Sequence, residues 1–203
     1  MKLGFVLECT LGGADMRVCQ WIARQRNAAF VLEDRQFKTM GSKPALFERC
    51  GEEAAVLHAL GCDHVFVVWD LRPPIPNGEP PDCVREVQMV RAAILAAGVD
   101  ATWVTLLCIE QELEAWLLAD AAAIHKFCKG NSSHVPERVP REKRPEQIVA
   151  PKRKLEGLCE QRGRRFNANL HAISILAEAK PKALRRVPSY KRFEDKLDAL
   201  WRV

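Results

Sequence analysis

Residues 101–120, ATWVTLLCIEQELEAWLLAD, change period halfway along. From Ala101 to Ile109 the run is apolar and rich in β-branched residues, which predicts a buried strand. Beyond it, Leu113, Trp116, Leu117 and Ile124 recur at helical spacing and predict a helix with one apolar face. Glu110, Glu112 and Glu114 stand where strand gives way to helix. A helix dipole favours acids in its first turn by about 0.3–1 kcal/mol each, which accounts for one or two of them. Two further acids, Glu8 and Asp70, also close expected strands. Ligands of open α/β sheets bind beyond the carboxyl ends of the strands, so acids delivered there by separate strands form a candidate site.

Outward from this stretch, strand and helix alternate. LGFVLE (3–8) and HVFVVWD (64–70) read as strands, and Ala29–Leu32 as a short one. Asp15–Arg26 reads as an amphipathic helix with Met16, Cys19, Ile22 and Ala23 inward. Further helices are expected over Pro44–Leu60 and Asp82–Ala97, closed by Gly61 and Gly98. Residues 33–45 are expected as a loop; it holds Lys38 and Lys43, the only lysines between Lys2 and Lys126. LRPPIPNGEPP, after Asp70, carries five prolines and excludes helix or central strand. Such alternation with short connections implies right-handed crossovers and an α/β fold, a Rossmann-like parallel sheet between helices. Residues 129–148 read as a polar, proline-interrupted linker, followed by helices near Pro151–Arg162, Asn167–Ala179 and Ser189–Trp201. The expected organisation is an α/β domain over 1–128 and a basic helical extension over 129–203.

Charge follows the same division. Residues 1–128 hold 12 Lys/Arg against 17 Asp/Glu, net −5, and residues 129–203 hold 19 against 9, net +10. An acidic body with a basic extension points to a polyanionic partner; the plainer account is a solvated helical surface. The chain has 203 residues, 48% of them hydrophobic, without an apolar run long enough to span a bilayer. MKLGFVLE lacks the features of a signal peptide, and most of the eight scattered cysteines, which include no CxxC pair, read as buried thiols. The expectation is a cytoplasmic protein. The five histidines fall at no ligand spacing, and no P-loop, GxGxxG or GxSxG occurs.

The sharper reading joins Glu8, Asp70 and one or two of Glu112, Glu114 and Glu110 into a carboxylate cluster. Like charges raise each other's pKa unless a cation compensates. Oxygen-only ligands suit Mg2+ or Mn2+, held by a few carboxylates and by substrate phosphate oxygens. Lys38, Lys43 or Arg72 would then neutralise the phosphate. The plainer accounts are that Glu8 caps the following turn, that Arg72 pairs with Asp70, and that Trp116 is core.

GFVLE, GSKPAL, HVFVVWDLRP and above all ELEAWLLAD, continuing through RPEQIVAPKRKLEGL, NANLHAISILAEA and PSYKRFEDKL, resemble domain of unknown function 4276, taken as a Toprim-like family. The resemblance covers nearly the whole chain. It implies a compact parallel sheet between helices and Mg2+ held by a strand-end Glu and a downstream Asp-x-Asp. Glu8 takes the first role and Asp70 the second, with Glu112 and Glu114 as added acids. The implied activity is a Mg2+-dependent nuclease or related phosphoryl transferase on DNA or RNA. A setting in prokaryotic defence against phage, with an ATPase partner, is also implied. Two positions depart from the Toprim pattern. Asp-x-Asp reads Asp70-Leu71-Arg72 here, and Glu8 is followed by Cys9-Thr10-Leu11-Gly12-Gly13. The departure at Arg72 favours an alternative: a module with weakened catalysis that binds nucleic acid or a partner protein. A small-molecule phosphohydrolase with Asp70 as nucleophile is a third reading.

Overall fold

Four strands, the longer ones apolar along most of their length, are present in the computed structural model, which describes residues 1–74, 80–130 and 137–200. They are β1 (Leu3–Leu7), β2 (Phe37–Thr39), β3 (His64–Asp70) and β4 (Val104–Ile109). Outside the described residues lie 75–79 of the proline-rich loop, 131–136 of the expected linker (including His134), and Trp201 at the end of the last expected helix. The strands form one wholly parallel sheet in the order β2-β1-β3-β4. Between them run α1 (Ala14–Arg26), α2 (Lys43–Ala59) and α3 (Cys83–Ala96). The fold is thus the expected α/β class, a Rossmann-like parallel sheet flanked by helices.

The chain divides into two compact units, one of Met1–Glu110 with the residues from Phe193 on, the other Gln111–Arg192. The charge division at residue 128 does not coincide with this boundary. In the first unit, period-two alternation sends Val6, Val65, Val67 and Trp69 to one face of the sheet. There they are buried with Leu46, Cys50 and Leu57 of α2 and with Val90 and Ile94 of α3. On the other face Phe5 stacks on Phe37 and Phe66, with ring centroids 5.1 and 5.4 Å apart. Phe193 meets Phe66 edge-on at 5.7 Å. Asp82 caps α3 by accepting from the N–H groups of Val84 and Arg85.

The second unit holds α4 (Glu114–Leu117), α5 (Ala121–Lys129), α6 (Pro151–Glu160), α7 (Ala168–Glu178) and α8 (Pro181–Leu184). A last helix, α9 (Pro188–Ala199), begins in it. Trp116 is fully buried, as the plainer account of it holds, and its Nε1 donates to Ser189 Oγ at 2.7 Å. The N–H and hydroxyl of Ser189 both donate to Glu146 Oε1. Trp116 also meets Tyr190 edge-on at 5.4 Å. Three stretches far apart in the chain, ELEAWLLAD, RPEQI and PSY, therefore meet in one buried polar network.

Several expectations are corrected. Ala29–Leu32 forms only an isolated bridge, Val31 to Lys2, and the second strand is instead Phe37–Thr39. Three residues are too few to show a period, so this strand hides in what reads as a loop. Lys38 therefore lies on β2, paired with Glu53 at 3.8 Å, and Lys43 is the first residue of α2. Ala101–Trp103 is a 3-10 turn capped by Asp100, and the strand starts at Val104. The single helix expected after it is two, because Asp120 interrupts it. The Asp120 side chain accepts from the N–H groups of Ala122 and Ala123 and starts α5 afresh. Glu110 and Glu112 both lie before α4, which starts at Glu114. Pro145 and Glu146 are buried in a 3-10 turn, so that part of the expected linker is anchored. The short helix α8 went unread.

Candidate active site

Glu8 and Asp70 follow from the strand order. The chain leaves β1 toward β2 on one side and leaves β3 toward β4 on the other, so the switch point of the sheet lies between β1 and β3. Ligands of open α/β sheets bind in this crevice, outside the carboxyl ends of the strands. Glu8 immediately follows β1, and Asp70 is the last residue of β3. Glu8 N donates to Val68 O at 3.2 Å, and Glu8 Oε2 accepts from Asp70 N at 3.1 Å. The carboxylate of one strand end is therefore fixed by the backbone of the next. Asp70 is in register with Ile109, which places Glu110 at the end of the following strand. Glu110, which sequence reasoning weighed only as a third choice, thus shares the acidic edge of the first unit.

The turn from Glu8 into α1 needs its glycines. Gly12 has φ of 71°, and a Cβ on Gly13 would stand 2.9 Å from Thr10 O. This turn brings Asp15, in the first turn of α1, close enough for its charge to act on Glu8 and on Cys9. Burial pushes the Glu8 carboxyl up to about 7. The Lys43 charge and the Asp70 N–H pull it down, while Asp15 and Glu86 add to the rise. Burial, with Asp15 beside it, also pushes the Cys9 thiol up to about 12, which disfavours the thiolate.

Lys43 sits within electrostatic reach of Glu8 but points inward. It is 4% exposed, and its Nζ donates to Leu71 O at 2.7 Å, to Pro73 O at 2.8 Å and to Glu86 Oε1 at 3.5 Å. An ammonium has three donors, and in this conformation all three are engaged within the protein. Glu86, fully buried, also accepts from Trp69 Nε1 at 2.9 Å. Glu86, Asp15 and Cys9 were missed in the sequence. Glu86 did carry a signal: with Val90 and Ile94 it forms an i, i+4, i+8 stripe, so it faces the core.

Glu112 and Glu114 belong to the second unit. Glu112 Oε2 accepts from Lys152 N at 3.1 Å and so satisfies an N–H in the first turn of α6. Glu114 is buried as the first residue of α4. Among the described residues, no three His, Cys, Asp or Glu side chains come together as a metal cage. No helix among them is long and apolar enough to cross a membrane.

A parallel sheet with a carboxylate pair at its switch point defines the class of protein. Within that class, the chain belongs to the family described as Domain of unknown function (DUF4276), whose model matches residues 36–198. No curated protein and no solved structure matches the chain.

Proposed function

We propose that this chain is a cytoplasmic, Toprim-like phosphoryl-transfer enzyme, a divalent-cation-dependent nuclease acting on nucleic acid. The observation that carries the reading is the pair Glu8 and Asp70 flanking the switch point, joined by the Asp70 N–H to Glu8 Oε2 at 3.1 Å. The donors fit Mg2+ or Mn2+. They are hard oxygens from adjacent strand ends. Mg2+ keeps several waters and takes only one or two carboxylates plus substrate oxygens, so an open edge suits it better than a cage. Glu8 and Asp70 would hold the ion, with Glu110 on the next strand. Bound there, it would supply an activated water and stabilise the oxygens of an in-line displacement.

The chain's own groups have separable parts. The Asp70 N–H orients Glu8. Lys43 favours the ionised form of Glu8 through its field, while its Nζ holds the backbone after β3 in place. The +9 balance of Gln111–Arg192, with 18 Lys/Arg against 9 Asp/Glu, supports a polyanionic substrate. Cleavage of labelled single- and double-stranded DNA and RNA with Mg2+ or Mn2+ tests the reading. Glu8→Gln and Asp70→Asn are each expected to lower the rate at least about a hundredfold while nucleic-acid binding persists. Glu112→Gln and Glu114→Gln run alongside show whether the second unit's acids take part. Full activity in both strand-end variants would overturn it. The inward engagement of Lys43 and the presence of Arg72 favour a second reading, a binding module with weakened catalysis. It predicts binding without cleavage in the wild type.

A further inference from the structure

The second unit contains a pocket of about 400 Å3 at the start of α5 and beside α8. Its charged lining is Arg141, Lys180, Lys182 and Arg186, against the single acid Asp120. That acid is already engaged. Asp120 is 7% exposed; Oδ1 accepts from the N–H groups of Ala122 and Ala123, and Oδ2 from Lys180 N at 2.9 Å. Arg186 is fixed by donating from Nη2 to Ala119 O. Among the described residues, Arg141, Lys180 and Lys182 form no ion pair. Four cations gathered on a concave surface repel one another, and an anion bound among them relieves that repulsion. The rest of the lining is small: Ala119, Ala121, Ala122 and Ala183. These leave room for a flat apolar group beside the charged rim, and the volume lies within the roughly 300–1,000 Å3 of small-molecule sites.

We propose that this pocket binds a nucleoside phosphate, with the phosphate among Arg141, Lys180 and Lys182 and the base against the alanines. Donors from separate elements suit the several oxygens of a terminal phosphate better than a single carboxylate. The phosphate is that of a strand's 5′ end or of a free nucleotide. The ligand choice rests on the nucleic-acid reading above, but not on the acidic edge of the sheet.

The test uses the full chain in EDTA, so that cleavage plays no part. Fluorescence anisotropy compares a 3′-labelled single strand carrying a 5′-phosphate with the same strand carrying a 5′-hydroxyl. Adenosine 5′-monophosphate and inorganic phosphate serve as competitors. The phosphorylated strand is expected to bind about tenfold more tightly. That preference is expected to vanish in Lys180→Ala/Lys182→Ala and in Lys182→Glu, whose side chains are exposed and whose thermal midpoints should match the wild type. Competition by the monophosphate at the strand's own affinity identifies free nucleotide as the source; weaker competition identifies the strand end. Equal binding of both strands without competition by the monophosphate overturns the proposal. So does inorganic phosphate competing as well as the monophosphate, since the alanine lining would then contribute nothing. Either failure leaves the Mg2+-dependent cleavage test of Glu8 and Asp70 untouched.

Discussion

Glu8 combines a half-buried carboxyl, a backbone donor and a lysine at one strand end, and its titration reports on all three. Its folded value of about 7 lies above the ordinary 4.5, chiefly because burial disfavours the charge. Between these values the folded chain holds a proton that the unfolded chain has released. Stability from this group is therefore full below pH 4.5 and is lost as pH rises to about 7. The loss is on the order of 3 kcal/mol. His64 works in the opposite sense. Burial lowers it from 6.5 to about 4, so its contribution is full above 6.5 and is lost as pH falls toward 4. The two windows overlap and flatten the profile of the wild type, so the informative quantity is a difference. In metal-free buffer, urea unfolding of Glu8→Gln should show a gain over wild type that grows from pH 4.5 to about 7 and then levels off. A difference constant across that range would mean that Glu8 ionises as freely as in the unfolded chain.

The helices that hold Lys43 and Glu86 are set by one close approach. Gly51 lies where α2 crosses α3, and a Cβ there would stand 2.2 Å from Ala93 O and 2.8 Å from Ala97 Cβ. Gly51→Ala forces the helices apart and should cost about 1–3 kcal/mol, read as a lowered thermal midpoint. An unchanged midpoint would mean that α2 and α3 shift without cost. The same elements show what the sequence could reveal. β1 and β3 were legible because strands buried on both faces read as continuous apolar runs. β2 was not, since FKT is too short to carry a pattern. The break between α4 and α5 was signalled by Asp120, but an apolar stripe running past it, Trp116 and Leu117 to Ile124, hid it. Glu8 and Asp70 stood out as acids closing apolar strands. Their place at the switch point depends on strand order, which is tertiary and has no local signature. Nor does anything local tell that the Lys43 amine turns inward to two carbonyls.

Charge at the scale of the molecule sorts by unit as well as along the sequence. Gln111–Arg192 carries a net charge of +9, leaving −4 for the rest, which includes Glu8, Asp70 and Glu110. A basic unit would supply the sequence-independent part of nucleic-acid affinity through release of counterions. Within it, Lys152, Arg164 and Arg165, with Glu156 and Glu160, line a groove of about 780 Å3 together with the start of α7. Arg164 also has a packing role, its guanidinium lying 4.3 Å over the Phe127 ring, so its removal would confound charge with structure. Lys152 and Arg165 are exposed and separate the two effects. For single-stranded nucleic acid, each phosphate contact contributes about 0.7 to the slope of log affinity against log salt. Lys152→Ala/Arg165→Ala should therefore flatten the slope by about 1.4 if both side chains touch phosphate, and weaken binding alike across sequences. Anisotropy across a salt series reads this directly. A slope unchanged in the double variant would move the phosphate contacts elsewhere, and a wild type that binds no nucleic acid at low salt would leave the basic unit to a different anion.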